Sequence, residues 1–262
     1  MSEFKKLKLW FDGELATPLA KKIKPHYSPF KTKTFVAYIE KKIEDQELKQ
    51  RVETISDALY AQLPSDYCEA VGILHNILGP ENENETGMFT DGYWLMPIAF
   101  FVEKYGTAHF DESMLLIKEI TKRNTGEYAI RPFLTHYPKE TLKIAKLWSK
   151  DKNFHVRRLA SEGLRPRLPW AKKITLFSDK PDPVITILSN LKSDPSAYVR
   201  KSVANTMADF LKENYEYTIL VLETWSKCNN KETDWIIKHA LRNEIKKKNP
   251  QALSLLTKKE KK

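Results

Sequence analysis

The sequence predicts an all-α fold, an α-α superhelix of stacked helix pairs, on three observations. Apolar residues recur at helical spacing along nearly the whole chain. Eight glycines and few alternating β-branched runs argue against a sheet. The third observation is a repeated signature: Asp151-Lys-Asn-Phe-His-Val-Arg-Arg-Leu-Ala-Ser-Glu returns as Asp194-Pro-Ser-Ala-Tyr-Val-Arg-Lys-Ser-Val-Ala-Asn, which sets Val156 on Val199, Arg157 on Arg200 and Ala160 on Val203, 43 residues apart. Weaker copies are Asp234-Trp-Ile-Ile-Lys-His-Ala-Leu-Arg242 and Glu127-Tyr-Ala-Ile-Arg131. A period near 40 of this kind is that of HEAT-like repeats, which stack into a curved wall. Here the concave surface of that wall is expected to be basic.

The elements follow in order. Leu48, Val52, Ile55, Leu59 and Leu63 make one helical stripe, and Met114, Leu115, Ile117 and Ile120 begin another. Breaks fall at Pro64-Ser65, at Gly79-Pro80 and along the acidic, Asn-rich stretch from Glu81 to Gly87, which reads as an exposed loop. The second half resolves into three pairs: 139–149 with 153–164, 182–191 with 196–212, and 215–226 with 232–246. Asp194 before Pro195 reads as an N-cap followed by a proline in the first turn. The connection from Arg165 to Pro183 is too long for a plain turn, and Trp170 and Phe177 within it argue against disorder. A single domain over 1–262 is expected: an N-terminal helical part (1–122), repeat units carrying the functional face (123–256) and a charged tail (257–262).

Composition narrows the function classes. Lys and Arg outnumber Asp and Glu by 44 to 34, a net charge of +10, which suggests a polyanionic partner. Cys68 and Cys228 show no metal spacing and no disulfide framework, so no metal site is expected and a reducing cytoplasm fits. No apolar signal core or membrane-length apolar run is present, so the expectation is a soluble cytoplasmic protein without a membrane partner. Phosphate-loop, dinucleotide, HExxH and CxxC motifs are absent, and no cofactor is expected.

Helical spacing then sorts the side chains. Val156, Leu159, Ala160 and Gly163 should pack inward, which leaves His155, Arg158, Glu162 and Arg165 on the opposite face. On the next inner helix Val199, Val203, Met207 and Phe210 pack, while Lys201, Asn205 and Asp209 line the other side. Glu162 and Asp209 are therefore expected near each other, ringed by cations. Carboxylates repel phosphate, so acids in such a wall point to a cationic feature of a ligand. The simpler reading is that Glu162 with Arg158 or Arg165, and Asp209 with Lys212 or Lys201, are solvated ion pairs. Trp170 beside Pro169 reads either as a plug on the core or as a contact surface. Arg157 and Arg200 share one repeat position and read as structural bridges.

The stretch Val156-Arg-Arg-Leu-Ala-Ser-Glu-Gly-Leu-Arg-Pro-Arg-Leu-Pro-Trp170 goes far beyond a generic repeat. Together with Thr125-Gly-Glu-Tyr-Ala-Ile-Arg-Pro-Phe-Leu134, Trp94-Leu-Met-Pro-Ile-Ala-Phe-Phe-Val-Glu-Lys-Tyr-Gly106, Ser202-Val-Ala-Asn205 with Asp209, and Asp234 to Arg242, it resembles the AlkC-like DNA alkylation repair proteins. These are HEAT-like-repeat DNA glycosylases, a sister group to the AlkD-like ones. The likeness is good over about residues 90–250 and loose over the first 80.

The resemblance implies hydrolytic excision of positively charged alkylated bases, chiefly N3-methyladenine, with N3-methylcytosine and N1-methyladenine as further substrates, and without a base-flipping pocket. It places the catalytic acids on Asp209, Glu162 and Glu127, and substrate contacts on Trp170, Arg158 and Arg165. Arg167, Lys172, Lys173, Lys201, Lys238 and Arg242 are the expected DNA-binding cations. The expected partner is double-stranded DNA carrying alkylated bases, the expected state is a monomer, and the C-terminal immunoglobulin-like domain of some members is not expected here. A monofunctional enzyme follows from the absence of an evident lysine nucleophile. The alternative is a non-catalytic HEAT-like protein that binds damaged or branched DNA.

Overall fold

In a computed structural model the described residues, 5–90 and 92–260, form helices joined by turns and loops, with no strand among them. They divide into two compact units, Met1–His136 and Tyr137–Lys262. No helix among the described residues is long and apolar enough to cross a membrane.

The first unit carries α1 (Gly13–Ile23), α2 (Thr32–Lys42), α3 (Leu48–Gln62), α4 (Tyr67–Asn76), α5 (Met96–Tyr105), α6 (Phe110–Thr121) and the short α7 (Arg131–His136). Asp12 caps α1 by accepting from the amides of Glu14 and Leu15, and Asp66 caps α4 by accepting from Glu69. The predicted stripe of α3 is buried at Val52, Ile55 and Leu59 and packs on α5. In α6 the buried face is Met114, Leu116, Ile117 and Ile120, while Leu115 points outward. The stretch from Glu81 to Gly87 is a loop, tied to the end of α6 by the Asn82 amide on the Lys122 carbonyl at 2.9 Å.

The second unit carries α8 (Pro138–Trp148), α9 (Phe154–Glu162), α10 (Asp182–Leu191), α11 (Ala197–Glu213), α12 (Tyr215–Ser226), α13 (Lys231–Ala240), α14 (Arg242–Lys246) and α15 (Pro250–Glu260). The last predicted helix is thus two, broken at Leu241. The expected charged tail continues α15 to Glu260, and its last two residues lie outside the described ones. Helix α11 packs against α9 on one side and α13 on the other. Val156, Leu159, Ala160, Val199, Val203, Met207 and Phe210 are all at most 1% exposed. Each such side chain contributes about 1–3 kcal/mol of burial.

The 43-residue repeat is visible atom by atom. Arg157 Nη1 donates to the carbonyls of Asp151 and Lys152, six and five residues before it, and Arg200 Nη1 donates to those of Asp194 and Pro195. Asp151 accepts from the Asn153 amide as Asp194 accepts from the Ser196 amide. The helix caps are therefore Asn153 and Ser196, so Asp194 is not the N-cap that the Asp-Pro pair suggests. Asp194 instead accepts two bonds from Arg157, at 2.6 and 3.1 Å, and joins one repeat to the next.

Candidate active site

Helices α9 and α11 meet through small polar side chains. Ser161 Oγ lies 3.0 Å from Thr206 Oγ1, and both residues are fully buried. That close approach sets Glu162, the last residue of α9, beside Asp209, one turn beyond Thr206 on α11. Arg165 follows on the turn after α9 and reaches both: Nη1 donates to Glu162 Oε1 at 2.8 Å and Nε to Asp209 Oδ2 at 2.9 Å. The three side chains are 8%, 6% and 12% exposed for Glu162, Asp209 and Arg165. Arg158 approaches Glu162 at 3.8 Å and lies 4.6 Å over the Tyr198 ring. The helical pairs expected from spacing are present, but they are buried, and the partner of Asp209 is Arg165 rather than Lys201 or Lys212.

The two acids titrate in opposite directions. Burial pushes Glu162 up, but the charges of Arg158 and Arg165 and the Arg165 hydrogen bond outweigh it and hold the carboxyl below its usual range. Burial also pushes Asp209 up, and there Arg165, Lys212 and the Arg167 backbone amide offset it only in part, so Asp209 stays above its usual value. Environments that drive neighbouring carboxyls apart separate a permanent anion from a proton acceptor.

After α9 the chain runs through the long connection to α10, which Leu168 and Phe177 anchor in the core. Glu213, at the end of α11, pins it from outside, accepting from Arg167 at 2.5 Å, Lys173 at 2.6 Å and Ser178 at 3.2 Å. Burial raises the Glu213 carboxyl, but these donors together hold it below its ordinary range. Trp170 does not plug the core. It is 69% exposed, with φ of 61°. A left-handed backbone is costly for a bulky residue, about 1–3 kcal/mol, and such outliers cluster at functional sites.

No family model matches the chain. An uncharacterized protein of Bacillus subtilis, YhaZ, is 38% identical over 252 residues, 95% of this chain and 67% of that protein. The Pseudomonas fluorescens alkylpurine DNA glycosylase AlkC, solved bound to DNA containing an abasic site analog, matches with a TM-score of 0.87 and 35% identity over 97% of this chain and 69% of that one. The chain belongs to the AlkC-like DNA alkylation repair family. AlkD2 from Streptococcus mutans matches with a TM-score of 0.49 and 23% identity over 80% of this chain and 97% of that one.

The remaining residues that the AlkC-like resemblance singles out fall in several places. Glu127 is in the first unit, 4% exposed, on the turn between α6 and α7. Gly126 before it permits close packing, since a Cβ there would meet Thr121 Oγ1 at 2.5 Å. Lys172, Lys201 and Lys238 are exposed. Arg242 donates to the His239 carbonyl and to Asn205 Oδ1. Sequence reasoning missed the group beside it. Trp235 stacks on His239 at 4.8 Å and 8°, one helical turn apart. Burial, with Arg242 and Lys201 close by, lowers the His239 imidazole below its usual value. The (i, i+4) spacing of Trp235 and His239 in a basic segment was the available signal.

Proposed function

We propose that this chain is a DNA glycosylase that excises positively charged alkylated bases by hydrolysing the N-glycosidic bond. The observation that carries the reading is the buried Glu162–Arg165–Asp209 bridge, with one carboxyl pushed down and the other up, in a member of the AlkC-like family.

Breaking the bond between C1′ and the base builds positive charge on the sugar. An alkylated base that is already a cation leaves with the bonding electron pair as a neutral molecule, so no general acid is needed. Glu162, held ionised, stabilises the developing sugar cation electrostatically. Asp209, with its raised proton affinity, orients the attacking water and takes its proton as the new C1′–O bond forms. Arg165 touches both carboxylates and acts as a positioning residue. Trp170 offers an exposed π face to a cationic nucleotide. Lys172, Lys201, Lys238 and Arg242 supply phosphate contacts that hold duplex DNA without reading its sequence. Arg167 and Lys173 contribute less there, because Glu213 already engages both. The family resemblance also nominates Glu127, a buried carboxylate of the other unit.

N3-methyladenine is the leading substrate, with N3-methylcytosine and N1-methyladenine following because both are cationic. The enzyme is monofunctional, works without a base-flipping pocket and acts as a monomer in the cytoplasm. The test is free-base release from a methylated duplex, followed by mass spectrometry with the unmethylated duplex as control. Release of methylated bases, with abasic sites left uncut, supports the proposal. Binding of the duplex without release at any enzyme concentration would assign the chain a binding role instead.

A further inference from the structure

Outside the candidate active site, helices α4 and α6 bring three chemically distinct donors together. Cys68 is the second residue of α4, His109 directly precedes α6, and Glu112 lies in its first turn. One donor atom from each lies within 4.8 Å of the others, and Cys68 Sγ is 3.9 Å from His109 Nδ1. Three points no more than this far apart share a centre about 2.8 Å from each at most, while zinc binds sulfur at about 2.3 Å and nitrogen or oxygen at about 2.0–2.2 Å. A closure of at most about 0.5 Å for the sulfur and about 0.6–0.8 Å for the nitrogen and oxygen therefore seats an ion.

The imidazole is held for this role. His109 stacks on the Tyr67 ring at 4.7 Å and 15°. Ser113 Oγ donates to the Gly106 carbonyl at 2.9 Å, which leaves the Tyr67 hydroxyl to donate to Ser113 Oγ at 2.7 Å. This chain of contacts fixes the Tyr67 ring against which the imidazole stacks. Cys68 is exposed and His109 is half-buried, so the open side admits a water as fourth ligand.

We propose that Cys68, His109 and Glu112 form a binding site for a divalent ion of the zinc class. A sulfur, nitrogen and oxygen set suits zinc and disfavours magnesium and calcium, which take oxygen ligands. On binding, the ion displaces the thiol proton and closes a link between residues 41 positions apart. The site fastens α4 to α6 within the first unit. It is independent of the glycosylase reading.

The test uses the untagged full chain, stripped with a chelator and titrated with cobalt(II), then with zinc. The expected result is a thiolate-to-cobalt charge-transfer band at one equivalent, displaced by zinc, together with a higher Tm in zinc. Cys68→Ser should abolish the band and Cys228→Ser should keep it. Loss of outer-shell partners alone weakens metal sites about 10–100-fold, so His109→Asn should weaken zinc binding by about 100-fold and Glu112→Gln by at least about 10-fold. Absence of the band at saturating cobalt, its survival in Cys68→Ser, or unchanged zinc affinity in His109→Asn or Glu112→Gln would overturn the site.

Discussion

Replacing Arg165 with methionine removes the guanidinium that two buried carboxylates share. Asp209 loses its 2.9 Å donor and Glu162 its 2.8 Å donor, with side chains only 6% and 8% exposed. Removing one partner of a buried pair costs about 3–5 kcal/mol, because a desolvated charge is stranded. Arg158 remains 3.8 Å from Glu162, so the loss falls chiefly on Asp209 and the low end, about 3 kcal/mol, applies. At roughly 3 °C per kcal/mol for a chain of this size, Tm falls by about 9 °C. The pH dependence has a definite sign. In the native protein Glu162 sits below its usual range, so its contribution is present above the unfolded carboxyl pKa and fades as pH falls through the folded value. Asp209 sits above its usual range, and its ionised form is tolerated largely because of Arg165. Without that arginine burial raises both acids, and protonation relieves them. The deficit of Arg165→Met should therefore be largest near pH 7 to 8 and shrink toward about pH 4. Urea unfolding of the native protein, Arg165→Met and Arg165→Lys at both pH values measures this, with the lysine variant intermediate because a point charge cannot serve both acids. A deficit under about 1 kcal/mol, or one that is the same at both pH values, refutes the account of the bridge.

Arg157→Met should cost about 3 kcal/mol in urea unfolding, because Asp194 is buried and takes both of its close side-chain donations from Arg157, yet leave DNA affinity unchanged below the unfolding range. Trp170→Gly should be about 1 kcal/mol more stable than Trp170→Ala, since only glycine relaxes at a φ of 61°, while both lose excision equally. Equal stability of the two, measured by chemical denaturation, removes backbone strain from the picture. Lys201→Ala and Lys238→Ala should each weaken binding to every duplex sequence and lower the slope of log K against log salt by about 1. An unchanged slope places them away from DNA.

Much of this was legible in the chain because repeats and helices are local. The positions of Arg157 and Arg200 announced a structural role, and the same carbonyl contacts recur at both. The spacing of Val156, Leu159 and Ala160 marked a packed face that the structure buries. What spacing missed was burial by segments distant in sequence. The face with His155 and Glu162 reads as solvated on a helix drawn alone, but in the fold both residues are buried. The partner of Asp209 lies 44 residues away, beyond any helical neighbour rule. The break at Leu241 has no glycine or proline to announce it. Cys68 and His109 meet only because α4 and α6 pack together, which no spacing of cysteines reveals.

The most direct test of the central claim is single-turnover release of N3-methyladenine by the native protein and by Asp209→Asn, alongside binding to a duplex with an abasic site. Loss of a general base or of charge stabilisation at the reacting centre costs about 10²–10⁴-fold. The account predicts a fall in that range for Asp209→Asn, with affinity for the abasic duplex kept within about tenfold of native. Release at the native rate by Asp209→Asn would contradict it and return the buried acids to a purely structural role.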